Sequence, residues 1–142
     1  LLPEILKANG YATHGIGKWN VGHCNERYAP WRRGFDTFLG YFSSGIHYVA
    51  HEADTVFSSE AGGGSIALGG DVYALRDLQR FDPDEPFAWD DAAKRYQGKY
   101  TTTLFTEEAI SRLNTRRAQR AANNTNTTNP VYVWLAYHGM HD

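Results

Sequence analysis

The feature that most constrains the fold is an uninterrupted apolar run near the end of the chain, Val131 to Ala136. It follows a segment with helical periodicity, in which Thr103 is a suitable N-cap. The apolar stripe of that predicted helix consists of Phe105, Ala109, Ile110 and Leu113. An apolar run without polar alternation is typical of a parallel strand that is covered on both faces. The pattern therefore predicts a helix followed by a buried parallel strand.

The beginning of the chain repeats this order. Residues 1–9 are predicted to form the last turns of a helix that ends near Gly10, and Tyr11 to Gly17 are predicted to form a strand. Residues 18–99 are rich in turns, with short extended segments at Thr37 to Phe42 and within Asp71 to Arg80. The order helix, strand, long excursion, helix, strand indicates an α/β fold with a mostly parallel sheet flanked by helices.

The composition excludes several classes of protein. The formal net charge is −2, with 14 Lys and Arg against 16 Asp and Glu and no long basic block, so nucleic acid is not an expected partner. No apolar run is long enough to span a bilayer. Cys24 is the single cysteine, so neither an internal disulfide nor a cysteine-based metal site is expected.

Polar side chains follow both predicted strands. Lys18, Trp19 and Asn20 follow the first, and His138 and His141 follow the second. Ligands of open α/β sheets gather beyond the carboxyl ends of the strands. An ammonium and an imidazole at that edge suit an anion such as a sulfate or phosphate ester. The plainer interpretation, a surface lysine and a hydrogen-bonded loop histidine, stays open at this point.

Four blocks in the right order resemble the sulfatase family, in its arylsulfatase B-like branch. The blocks are Gly10-Tyr11-x-Thr13-x-x-x-Gly17-Lys18-Trp19-x-x-Gly22, then Arg32-Arg33-Gly34-Phe35-Asp36-Thr37-Phe38-x-Gly40-Tyr41, then Tyr100-Thr101-Thr102-x-Leu104-Phe105-Thr106-x-x-Ala109-Ile110, and finally Leu135-Ala136 followed by His141. The resemblance covers nearly the whole chain and fits least well over residues 43–99.

The resemblance implies an alkaline-phosphatase-like domain and the hydrolysis of sulfate esters. Residues 1–142 would be an internal part of the N-terminal catalytic domain, truncated at both ends. The family's nucleophile is a formylglycine, and a calcium ion holds the sulfate; both are expected outside these residues, with no metal ligand inside them. Carried over by position, Lys18 would contact the sulfate, and His141 would bind it or protonate the leaving oxygen. The substrate would be a small molecule or a glycan that carries a sulfate ester.

Asn20 departs from the family pattern, which has a catalytic histidine at this position. An amide donates and accepts hydrogen bonds but does not titrate. A non-catalytic relative that binds sulfated glycans is therefore an alternative to the enzyme. A phosphoester hydrolase on the same scaffold is a further alternative.

Other polar residues allow competing interpretations. His47 and His51 have a zinc-compatible spacing but no evident third ligand, which favours loop histidines at a pocket rim. The resemblance makes Tyr48 and His51 candidate substrate contacts. Asn123 and Asn126 begin glycosylation acceptor sequences, which fit a secreted or lysosomal protein but also a polar connector.

One ion pair is predicted in the turn-rich segment after the first strand. Arg32 and Arg33 precede Asp36 closely in the sequence, and one of the two arginines is expected to pair with it.

Overall fold

The structure is a computed structural model that describes residues 1–22, 24–53, 65–68, 71–74, 77–84, 92, 95–123 and 129–139. Within these residues the chain forms two helices, two 3-10 turns and six strands. In chain order they are α1 (Leu2–Ala8), β1 (Ala12–Lys18), two 3-10 turns (Glu26–Tyr28 and Pro30–Arg32), β2 (Thr37–Tyr41), β3 (Ser65–Leu68), β4 (Asp71–Ala74), β5 (Leu78–Phe81), α2 (Thr101–Asn123) and β6 (Val131–Ala136). No helix in the described part of the chain is both long and apolar enough to cross a membrane.

Four of the strands form one sheet in the order β5-β2-β1-β6. Strand β1 lies parallel to β2 on one side and to β6 on the other, whereas β5 is antiparallel to β2. Strands β3 and β4 form a separate antiparallel pair. The predicted α/β fold with a mostly parallel sheet is therefore confirmed.

Helix α2 covers one face of this sheet. Its Leu104 and Phe105 pack with Ile16 of β1 and with Leu39 and Tyr41 of β2. The predicted apolar stripe is buried only in its first half, since Ile110 and Leu113 are exposed. A helix of 23 residues is about 35 Å long, whereas a strand of 6 residues spans about 20 Å. The C-terminal half of α2 therefore extends beyond the strands that its first half covers.

Aromatic side chains cover the opposite face. Trp19, Phe35, Phe38 and Phe42 form a buried cluster against which Tyr132 of β6 packs. Strand β6 is at the edge of the sheet, and its Trp134 and Leu135 are exposed. The prediction that this strand is covered on both faces is thus not met within residues 1–142.

Two local predictions are wrong, each because a tertiary contact intervenes. Helix α2 begins at Thr101, before the predicted cap Thr103, because the Thr101 amide donates to the Tyr48 carbonyl oxygen at 2.9 Å.

Asp36 is the second case, because its partner is not an arginine of its own loop. It pairs with Lys7 of α1 at 2.8 Å and accepts a hydrogen bond from the Thr13 amide at 2.9 Å. Arg32 pairs with Glu26 and Arg33 with Glu4.

Candidate active site

The carboxyl ends of three parallel strands meet at one edge of the sheet. Lys18, the last residue of β1, is paired in register with Tyr41, the last residue of β2. On the other side of β1, Ala136 at the end of β6 is paired with Gly17. The two polar clusters that the sequence places after separate strands, at Lys18 and at His138, therefore lie at the same edge.

Gly17 fixes the backbone just before Lys18. Its φ is +96°, and a Cβ built on it would lie 1.9 Å from the Ala136 carbonyl oxygen. Gly40 on β2 is equally close from the other side, since its Cβ would lie 1.9 Å from the Gly17 carbonyl oxygen. Any side chain at either position would push adjacent strands apart. The glycine of the Gly-Lys-Trp block is thus required by strand packing.

Lys18 itself is half-buried. No carboxylate in the described residues pairs with its ammonium group, whereas Lys7, Arg33, Arg80 and Arg112 each have an acidic partner. A half-buried ammonium without a carboxylate partner favours binding of an anion at this edge.

Trp19 and Asn20 shape the loop that leaves β1. The buried Trp19 indole N–H donates to the carbonyl oxygens of Gly22 at 3.1 Å and Tyr28 at 3.0 Å, which ties the loop back onto the sheet. Asn20 is exposed and has a φ of +45°. This left-handed conformation is tolerated best by Asn, Asp and His among non-glycine residues. The backbone at position 20 is therefore compatible with the histidine that the resemblance leads one to expect.

His138 lies just beyond the end of β6, buried between aromatic rings. The Tyr48 ring stacks on its imidazole with centroids 4.1 Å apart, and the Tyr41 ring meets it edge-on at 5.6 Å. The Tyr48 carbonyl oxygen also accepts a hydrogen bond from the Thr101 amide at the start of α2, and the Tyr48 ring stacks on Tyr100. Tyr48 thus joins three elements at the edge where Lys18 lies, and the N-terminus of α2 with its partial positive charge lies there too.

Two residues of this edge have roles that sequence reasoning missed. Asp77 accepts hydrogen bonds from the amides of Phe42 and Ser43 and so closes the end of β2. For His138, the sequence predicts only a place in a polar cluster after the strand, whereas the structure shows a buried ring. Since Asp77 is 34 and 35 residues from its partners, no local motif points to it.

His51 lies in a different environment from the one predicted. It is fully buried, with a φ of +60°, and its Nε2 lies 2.9 Å from the Lys99 carbonyl oxygen. Burial lowers the pKa of His51, and so does the nearby His47, while the hydrogen bond to Lys99 acts in the opposite direction. Its burial favours a structural role, and the assignment as a substrate contact stays a prediction.

The zinc alternative has no support in the described residues. The His47 Nδ1 accepts hydrogen bonds from the amides of Val49 and Ala50, so it stabilises a turn. No group of three or more His, Cys, Asp or Glu side chains converges anywhere in the described ranges. The calcium ion that the resemblance implies stays a prediction.

Some predicted site residues lie outside the part of the chain that the structure describes. His141 and Asn126 are outside the described residues, and Asn123 is the last residue of α2. The roles predicted for His141 and for the two acceptor sequences therefore stay predictions.

The whole chain, residues 1–142, matches the family model described as Sulfatase. Over 141 residues it is 29% identical to arylsulfatase J of Mus musculus, covering 99% of this chain but 18% of the relative. It is 48% identical over 52 residues to N-acetylgalactosamine-6-sulfatase of Sus scrofa, covering 37% of this chain and 9% of the relative.

A solved structure shows the same fold. The crystal structure of Ps i-CgsB in complex with k-i-k-neocarrahexaose matches with a TM-score of 0.62 at 20% identity, over 99% of this chain and 26% of that one. Residues 1–142 therefore span about a quarter of that structure and less than a fifth of the relatives named above.

Proposed function

Because the chain belongs to the sulfatase family, we propose that the whole protein hydrolyses sulfate esters and that Lys18 binds the sulfate group. The observation that carries this proposal is the Lys18 ammonium, half-buried at the carboxyl edge of the sheet and without a carboxylate partner among the described residues. An ammonium acts as a compact point charge, which suits a tetrahedral oxyanion.

The surroundings of Lys18 support an anion in the same place. The N-terminus of α2 lies at this edge, and its partial positive charge adds to that of the lysine. The backbone that carries Lys18 is held by the close contact of Gly17 with β6, so the lysine side chain extends from a fixed point at this edge. A charge held beside the reacting group stabilises a transition state more than solvent does.

We extend the proposal to His141, which follows β6 and the buried His138 in the sequence. An imidazole there would bind the sulfate or protonate the leaving oxygen, as the resemblance implies. The formylglycine nucleophile and the calcium ion of the family belong to parts of the domain outside residues 1–142. The groups of this chain would bind and orient the ester for them.

The proposed substrate is a sulfated glycan rather than only a small aryl sulfate. Tyr48 and the exposed Tyr100 offer stacked aromatic surface at the edge of the site, against which a sugar ring can pack. The name of the relative N-acetylgalactosamine-6-sulfatase refers to a sugar, and one structural neighbour was solved with k-i-k-neocarrahexaose. Both are consistent with a sulfated glycan as substrate. Tyr48, which stacks on both Tyr100 and His138, would then support this surface and meet the substrate with its ring edge.

A second function is favoured by one observation. Asn20 is exposed at the site where the family has a titrating histidine, so a non-catalytic relative that binds sulfated glycans is the alternative. The sequence before Leu1 separates the two, since only the enzyme requires a Cys/Ser-x-Pro-x-Arg motif there.

The test is hydrolysis of 4-nitrophenyl sulfate by the whole protein and by two variants. Lys18→Ala is expected to lower kcat/KM roughly 100-fold or more, because it removes one positioned charge from the transition state. Lys99→Ala is the matched control, since Lys99 is an exposed lysine paired with Glu107. Unchanged turnover in Lys18→Ala would contradict the assigned role.

The location of the protein is also a proposal. The acceptor sequences at Asn123 and Asn126 support a secreted or lysosomal protein that carries glycans at the end of α2. A shift in mass on treatment with an endoglycosidase, lost in Asn123→Gln/Asn126→Gln, is expected of protein from a eukaryotic host.

A further inference from the structure

A second cationic feature lies at the end of the sheet opposite Lys18. Arg116, Arg117 and Arg120 of α2 line a groove together with Asn129, Pro130 and Val131, the residues that lead into β6. The groove has a volume of about 430 Å³, and no Asp or Glu among the described residues lines it. The charged side chains that line it are therefore all positive, although the net charge of the chain is −2.

The arginines of this groove differ from Arg112 in their partners. Arg112, one turn earlier on α2, is paired with Asp82 and Glu108. Arg117 and Arg120, by contrast, have no carboxylate partner in the described part of the chain. Since no described carboxylate neutralises them, these two side chains can bind an anionic ligand.

Arg116 is held in place by neutral groups. Its guanidinium donates to the Gln119 side-chain oxygen and to the Asn129 carbonyl oxygen, both at 3.0 Å. The Arg116 Nε is buried without a hydrogen-bond partner. A buried N–H group without a partner costs stability, and its guanidinium keeps its full charge. Arg116 is thus a cation held in place by two hydrogen bonds to neutral groups.

The helix dipole explains only part of this arrangement. Basic residues stabilise the last turn of a helix, where Arg120 lies, but the effect fades beyond that turn. Arg116 lies almost two turns from the end of α2, and like charges at positions i and i+4, as in Arg116 and Arg120, destabilise a helix. A ligand that bridges these arginines would remove that repulsion.

We propose that this groove binds a sulfate group of a glycan chain, as a second anion site separate from the Lys18 edge. Guanidinium groups bind oxyanions through paired N–H donors, and Leu113, Pro130 and Val131 offer apolar surface to the sugar rings. The inference rests on the proposed function, because it assigns the same substrate class to a further site. Strand β6 separates the two sites by about 20 Å.

A glycan long enough to reach both sites would bind more tightly than a short one. Attachment at the groove raises the effective concentration of its other sulfate esters near Lys18. The groove would then favour polymeric over small substrates. A small aryl sulfate, which reaches only the Lys18 edge, would not benefit.

The experiment is calorimetric binding of a sulfated carrageenan hexasaccharide to the whole protein in a Lys18→Ala background, where the other anion site is weakened. Arg117→Ala/Arg120→Ala is expected to weaken binding by about 10-fold or more, since each lost charge-assisted contact is worth up to that factor. Arg32→Ala, which removes an exposed arginine paired with Glu26, is the control and is expected to bind like its parent. Unfolding temperatures of all variants check that the fold is retained.

Two results would overturn the inference. One is equal affinity of Arg117→Ala/Arg120→Ala and its parent for the hexasaccharide. The other is equally tight binding of the desulfated hexasaccharide or of polyphosphate, because the site would then not select sulfated glycan. Absence of sulfate ester hydrolysis with groove binding intact would refute the proposed function alone, so the two failures are distinguishable.

Discussion

Tyr48 stacks on His138 with ring centroids 4.1 Å apart and ring planes inclined by 24°. The two residues are 90 positions apart in the chain, and their contact joins the loop after β2 to the end of β6. Because His138 begins the segment that leads to His141, this stack positions one side of the candidate site.

Replacement of Tyr48 tests that positioning role. In the whole protein, Tyr48→Ala is expected to lower kcat on an aryl sulfate by about 10-fold or more, because a misplaced catalytic group loses the benefit of orientation. Tyr48→Phe is the matched control and keeps the stack, so its kcat should match the wild type. A loss of kcat in Tyr48→Phe equal to that in Tyr48→Ala would show that the hydroxyl, not the ring, matters.

Gly17 offers a prediction about stability. Gly17→Ala places a methyl group against the Ala136 carbonyl oxygen and forces alanine to a φ of +96°. Such a backbone conformation alone costs about 1–3 kcal/mol in a non-glycine residue, and the clash adds to it. Denaturant unfolding should show a loss of this size or larger. Gly98→Ala is the control for the clash, since Gly98 also has a positive φ but open space around it.

Asn20→His is expected to raise activity. Asparagine and histidine both tolerate the left-handed backbone at this position, so the substitution should not disturb the loop. A titrating group at the site should increase kcat/KM on an aryl sulfate by about 10-fold or more. Asn20→Gly keeps the backbone conformation without a side chain and measures what the amide already contributes. Lower activity in Asn20→His than in the wild type would argue that the site has adapted to the amide.

The stability of the protein should fall in mild acid. Burial lowers the pKa of His51, and burial followed by the charge of Arg112 lowers that of His14, so both stay neutral in the folded protein while they protonate in the unfolded chain. The unfolded state then binds more protons below about pH 6.5, and the free energy of unfolding falls as pH falls from that value. Each histidine contributes a slope of at most about 1.4 kcal/mol per pH unit.

Urea unfolding of the whole protein at pH 5 and pH 7 measures this effect. His51→Asn keeps a residue that tolerates the φ of +60° and removes one titrating group. The difference in unfolding free energy between the two pH values should therefore shrink in the variant. An unchanged difference would exclude His51 as a source of the acid sensitivity.

The parallel core of the sheet was predictable because the signals for its strands are local. The apolar run of β6 and the strand before Lys18 indicated the parallel core, and parallel strands bring their carboxyl ends to one edge. The predicted start of α2 is three residues late, because the Tyr48 carbonyl oxygen extends the helix from outside it. The partner of Asp36 was wrong for the same reason, since Lys7 reaches it from α1.

By itself, the sequence determined the α/β order, the family and the position of Lys18 at a strand end, because periodicity and short motifs depend on neighbouring residues. Only the tertiary structure decided that Gly17 must be a glycine, that His51 is buried and that Tyr48 stacks on His138. It also decided that Arg112 pairs with Asp82, whereas Arg117 and Arg120 have no acidic partner among the residues that the structure describes. These properties depend on contacts between residues that are tens of positions apart in the sequence. A local sequence pattern does not show which of those residues meet.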